Sequence, residues 1–351
     1  MTNGLISPMS DATRLMMHGL ARLILAIAIG LSFYAPNLHA QETKKLPHIG
    51  VLWPGDVKIW NDALFNALRE LGYVDGVTAR VDIRNTYEQF HLSPKLAEEL
   101  VSLNPDVIFA APGAFAKDIS QASETAHKKI PIVVLTYDPV AEGLVTSAAH
   151  PGGNITGVGG TYDKAIVGKH LQLLRDMIPR ATRVAYLYDT TWTKGPNYPR
   201  LIKDGLDQNA RRLGISVATI EINAGDQLEQ AFERATHLRA EAIIVSHSPL
   251  FNAPPNRARI IKLAAQHRLP AIYFDELFAY DGGLMSYWTS VKERHVSAAR
   301  LVAKILHGAK PSNLPIEYPT RIRRVVNLRT AKALGLTIPE SVLIQADEVI
   351  R

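Results

Sequence analysis

The chain has 351 residues, 47% of them hydrophobic and 21% charged, with a formal charge of +6 and no cysteine. That length exceeds one ordinary hydrophobic core and points to two globular domains. Disulfides, thiolate metal sites and cysteine nucleophiles are excluded, and the scattered Lys and Arg residues form no basic arm or helix, so nucleic acid is not an expected partner.

Arg14, His18 and Arg22 precede an apolar run from Leu23 to Tyr34, which Pro36 breaks; Leu38-His39-Ala40 then stands before a polar stretch. A basic region, an apolar core and a small residue before a polar start are the parts of a secretory signal, so residues 1–40 are expected to be a leader cleaved near Ala40. The run falls short of the roughly 20 apolar residues that a bilayer span needs; an uncleaved anchor is the alternative. The expectation is export to the periplasm or another extracytoplasmic space.

From His48 the chain alternates strand and helix. His48 to Trp53 reads as a buried strand, Ile59 to Leu71 as a helix ended by Gly72, and Val77 to Arg84 as an outer strand with one exposed face. Ser93-Pro94 opens a second helix; Asp106 to Ala110 is a strand, a helix follows Pro112-Gly113, and Ile130 to Thr136 is a fourth strand. The pattern then repeats, with strands at 183–188, 215–222, 242–246 and 270–274 separated by helices, and a further strand at 282–287 followed by a helix from Arg294 to Leu306. A final strand and helix span 322–334, which suggests that the chain returns to its first lobe. The fold class is α/β: two doubly wound parallel-sheet lobes joined by a three-crossover hinge, a pair that can close like a clamp.

In such sheets ligands sit beyond the carboxyl ends of the strands. This picks out Trp53 to Asp56, the Ala111-Pro112-Gly113-Ala114 turn, Tyr137-Asp138, Trp192, Ser246-His247, Tyr273 with Asp275, and Tyr287 as ligand-binding candidates. Gly113 and Ala114 offer backbone N–H groups for a carboxylate, or are an ordinary turn. Asp138 either pairs with a ligand ammonium or caps a turn, and Glu142 reads as solvated. The aromatic side chains suit an apolar or planar ligand, or pack their own loops. Ser246-His247-Ser248 lacks an orienting acid and reads as ligand hydrogen bonding or capping rather than as a nucleophile. The histidines have no metal-ligand spacing, so neither catalytic residues, metal nor cofactor is expected. The glycines between Gly152 and Gly160 read as hinge and turn residues.

Asp138-Pro-Val-Ala-Glu-Gly-Leu-Val145, His150-Pro-Gly-Gly-Asn-Ile-Thr-Gly157, Gly282-Gly-Leu-Met-Ser-Tyr287, Lys304-Ile-Leu-His-Gly-Ala-Lys-Pro311 and the ending from Asn327 to Ile350 together resemble one family. It is the ABC transporter substrate-binding proteins of the tryptophan/tyrosine-binding type, within the type I periplasmic binding protein superfamily. The resemblance implies an exported, monomeric receptor that serves an ABC permease and its ATPase. It also implies that residues 47–157 and 283–310 build lobe one, and residues 158–282 and 318–340 lobe two. Trp288 and the segment from Thr191 to Pro196 depart from the family pattern near the expected cleft, so the ligand need not be an aromatic amino acid. The function expected is a receptor that closes over a small organic molecule, an amino acid or an aromatic compound. An enzyme using the same cleft, or a sensor for a membrane kinase, is the alternative.

Overall fold

A computed structural model describes residues 45–351 except 56, 57, 88, 161–163, 192–196 and 320, with only the backbone at 59, 164, 165 and 197–201. The expected leader, Asp56 and Trp192 lie outside the described residues. The first sheet holds β1 (His48–Trp53), β2 (Arg80–Asn85), β3 (Val107–Ala110), β4 (Ile132–Leu135) and β5 (Ile155–Val158), in the order β2-β1-β3-β4-β5. All its pairings are parallel. Strands β1, β3, β4 and β5 are buried along their whole length, whereas the edge strand β2 is half exposed. Helices cover both faces of a parallel sheet, so its inner strands are continuous apolar runs.

The second sheet holds β6 (Arg183–Asp189), β7 (Ser216–Ile222), β8 (Ala242–Val245), β9 (Ala271–Tyr273), β10 (Met285–Thr289), β11 (Ile322–Asn327) and β12 (Glu348–Ile350). Their order is β12-β11-β10-β9-β8-β6-β7, parallel except where β10 meets β11. Both lobes fall in one unit, Leu46–Arg351. No helix among the described residues is long and apolar enough to cross a membrane.

One lobe assignment is corrected. Residues 283–310 were expected together in lobe one, but β10 is a strand of the second sheet, paired with β9 through Met285 and Ile272. Gly283 backs onto the Tyr273 ring so closely that a Cβ there would lie 2.5 Å from a ring carbon, which ties the strand's start to this lobe. The chain crosses at Ser290, whose hydroxyl caps the helix Val291–Leu306 by accepting from the Glu293 N–H at 3.5 Å. That helix lays Val291, Ala298, Ala299, Leu301, Val302 and Ile305 into the core of the first lobe.

The Pro151–Gly160 stretch forms the last strand of lobe one and the first crossover. Asn154 Nδ2 donates to the Ile130 carbonyl at 2.7 Å, and Thr156 Oγ1 to the Leu314 carbonyl at 2.7 Å. Gly157 lies against β4 where a Cβ would be 2.0 Å from the Val134 carbonyl oxygen. The third crossover runs beside the first, with the Glu317 N–H bonded to the Gly157 carbonyl and the Gly159 N–H to the Glu317 carbonyl, both at 2.9 Å.

Candidate functional site

The carboxyl ends of β1, β3 and β4 face that of β8 across a narrow cavity of about 40 Å³, closed by the first turns of helices Lys58–Glu70 and Val291–Leu306. Its walls are aromatic. Trp53 and Trp60 stack at 6.4 Å between ring centroids, Trp60 faces His247 at 6.5 Å and 12°, and Tyr137 meets His247 edge-on at 5.3 Å. Tyr137 belongs to the first lobe and His247 to the second; the Tyr137 O–H donates to the His247 carbonyl at 3.3 Å, so this contact is the seam between lobes. Trp288 backs both rings, at 5.9 Å from Tyr137 and 6.2 Å from His247.

Two residues of the helix Val291–Leu306 complete the lining, Arg294 and His295. The Arg294 guanidinium is buried, and desolvation lowers its pKa against the opposing pull of Asp275. Burial likewise holds His295 neutral, with its pKa pushed down to about 3, and lowers His247 well below the usual histidine range, helped by the charge of Arg294. Asp275 Oδ2 lies 3.8 Å from His247 Nε2, while Oδ1 accepts the Leu277 N–H at 3.0 Å; burial raises its pKa. No group of three or more His, Asp or Glu among the described residues is placed to hold a metal ion.

Of the candidates read from the sequence, Trp53, Pro54, Ala111, Pro112, Tyr137 and His247 line this cavity. Asp138, Gly113, Ala114, Ser246, Tyr273 and Tyr287 are differently employed. Asp138 Oδ1 accepts the N–H groups of Val140 at 3.1 Å and Ala141 at 3.0 Å, so its carboxylate closes the following turn. Gly113 and Ala114 start the helix Gly113–Thr125, but the place for an incoming carboxylate is already filled. A Cβ on Gly113 would stand 2.0 Å from Glu142 Oε2. Glu142 is thus not a solvated side chain. It accepts from Thr136 Oγ1 at 2.6 Å, and burial raises its pKa. Ser246 Oγ is buried without a hydrogen-bond partner, and Ser248 caps a short helix by accepting the Phe251 N–H at 3.0 Å. Tyr273 stacks on Phe278 at 4.4 Å in the core of the second lobe. Tyr287 packs edge-on to His170 at 5.6 Å and under Arg324, away from the cavity.

Trp60, Arg294 and His295 were missed. For Arg294 and His295 the signal lies in the helix starting at Val291: positions 291, 294, 295 and 298 form one helical stripe, and two of the four are polar. Polar side chains on a buried stripe need a reason, and here the reason is the cavity.

Comparison with known proteins supports the two-lobed fold. A relative from Clostridioides difficile (strain R20291), described as a tyrosine-binding protein, is 25% identical over 277 residues, covering 77% of this chain and 74% of the relative. A conserved domain protein from Vibrio cholerae O1 biovar eltor superposes with a TM-score of 0.77 at 22% identity, covering 87% of this chain and all of that one. An ABC domain from Streptococcus pneumonia in complex with L-Trp gives 0.75 at 22% identity, with the same coverage. The family model described as ABC transporter substrate binding protein matches residues 56–350, nearly the whole of both lobes, and the chain belongs to that family.

Proposed function

We propose that this protein is the exported receptor of an ABC importer, and that it carries an aromatic organic ligand in the cavity between Trp60, Tyr137 and His247. The observation that carries this reading is the shared wall: Tyr137 from one lobe and His247 from the other meet at 5.3 Å over a space lined by two tryptophans. Aromatic faces bury much apolar area at little entropic cost and favour a planar partner. At about 40 Å³ the closed cavity has room for only a few water molecules. An organic ligand therefore enters when the lobes part, and is enclosed when they close about the crossovers near Gly159, Ser290 and Glu317. The tyrosine and tryptophan named for the relatives are of the same ligand class.

The partners on this reading are a membrane permease and its ATPase, met in the periplasm by a monomeric receptor freed from its leader. No chemical step is required of the cavity. A thermal-shift screen of amino acids, aromatic acids and nucleosides tests it: a ligand at a hundredfold excess over Kd stabilises the folded state by about 2.7 kcal/mol. An aromatic compound is expected to raise the melting temperature of the wild-type chain, and of Trp60→Ala much less. Stabilisation only by non-aromatic compounds, or equally in both proteins, would refute the assignment.

A further inference from the structure

The hydrogen-bonding capacity of the cavity is lopsided. Trp53 Nε1, Trp60 Nε1 and Arg294 Nε are buried N–H donors without a hydrogen-bond partner, and all three side chains line the cavity. Arg294 senses Asp275 and Glu276 through space, but forms an ion pair with neither among the described residues. Glu276 is paired with Arg323 at 2.8 Å, and Asp275 caps Leu277 with one oxygen and turns the other toward His247. Glu142 is held by Thr136. No Asp or Glu among the described residues lines the cavity.

His295 has the opposite polarity. Its Nδ1 lies 2.7 Å from the Val291 carbonyl, which can only accept, so Nδ1 carries the proton. In the neutral ring Nε2 is then a lone-pair acceptor; it is buried, without a partner, at the cavity wall.

We infer that the ligand is an aromatic carboxylate without an α-ammonium group, its carboxylate paired with Arg294 and a phenol O–H or indole N–H donated to His295 Nε2. The inference rests on the cavity being the ligand site, as proposed above. A buried guanidinium without an anion is costly, and a carboxylate matches its fork with two parallel hydrogen bonds. The indole N–H groups of Trp53 and Trp60 add donors for the same oxygens. An ammonium brought into this space would lose its water, find no carboxylate among the described residues of the cavity wall and lie beside a like charge. Here the chain differs from what a receptor for a zwitterionic amino acid needs.

The test is calorimetric titration of the purified chain with matched probes: indole-3-acetate, L-tryptophan and tryptamine, then 4-hydroxyphenylacetate, L-tyrosine and tyramine. In at least one series the acetate is expected to bind at least tenfold more tightly than the amino acid, and the amine not at all. Arg294→Gln is expected to weaken the acetate at least a hundredfold while leaving the ligand-free melting temperature equal to or above that of wild type, because it removes a buried charge whose desolvation outweighs the pull of Asp275 and Glu276. A purely structural arginine would instead lower that temperature. If the amino acids bind as tightly as the acetates, the inference fails while the cavity assignment stands. If Arg294→Gln retains affinity, the carboxylate pairing fails. If no aromatic probe binds, the cavity assignment falls with it. The wild-type comparison of matched probes decides the matter even if the variant does not fold.

Discussion

Single residues in this protein are read correctly only when their hydrogen bonds are counted. Asp138 stands at the end of a strand beside the cleft, where an acid is equally suited to a ligand amine and to a turn; its two backbone N–H partners decide for the turn. Asp138→Ala is expected to cost about 1 kcal/mol of stability and to leave the affinity for an aromatic ligand within a factor of two; a large loss of affinity would restore the ligand role. His170 gives a pH signature. It is buried, stacked on Phe274 at 4.0 Å, with Nδ1 donating to the Ile166 carbonyl, and burial pushes its pKa from 6.5 down to about 4. Above pH 6.5 the ring is neutral in both folded and unfolded chains, and its contribution is fully present. Between 6.5 and about 4 only the unfolded chain takes up the proton, so stability falls as pH falls, by up to roughly 1.4 kcal/mol per pH unit. Denaturant unfolding across that window is expected to show a shallower slope for His170→Gln than for wild type. Parallel slopes would mean that the ring is not held neutral.

At the scale of elements, most strands and helices were legible because a parallel sheet covered on both faces writes each inner strand as an unbroken apolar run, with helical spacing between runs. Sheet membership was not legible in the same way. Whether β10 joins lobe one or lobe two depends on the Gly283 backbone meeting the Tyr273 ring, and on antiparallel pairing with β11 from a distant part of the chain. Neither is written in local spacing. The site was half legible for a related reason. Strand ends flagged Trp53, Tyr137 and His247, but Trp60, Arg294 and His295 come from helix starts that only the assembled lobes bring to the cavity. The crossover glycines can be ranked by what opposes them. Gly157→Ala drives a methyl into the backbone carbonyl of Val134, whereas Gly159→Ala meets the ring of Tyr318, a side chain 38% exposed and able to swing aside. Gly157→Ala is therefore expected to cost about 3 kcal/mol, and Gly159→Ala less. Equal melting temperatures for the two variants would remove the steric explanation.

The whole molecule is two sheets whose strand ends meet at one aromatic seam, linked by three neighbouring crossovers. Most of each buried cluster lies on its own sheet, and the packing shared between the lobes is concentrated at Tyr137, which joins the second-lobe cluster, and Leu277, which joins the first. On the proposed reading, a ligand is held by both lobes at once. Amide hydrogen exchange followed by mass spectrometry, with and without saturating 4-hydroxyphenylacetate, tests this most directly. Added protection is expected together in the segments after β4 around Tyr137, after β8 around His247, and at the start of the helix Val291–Leu306 around Arg294. Protection confined to one lobe, or absent from all three segments at saturation, would contradict it.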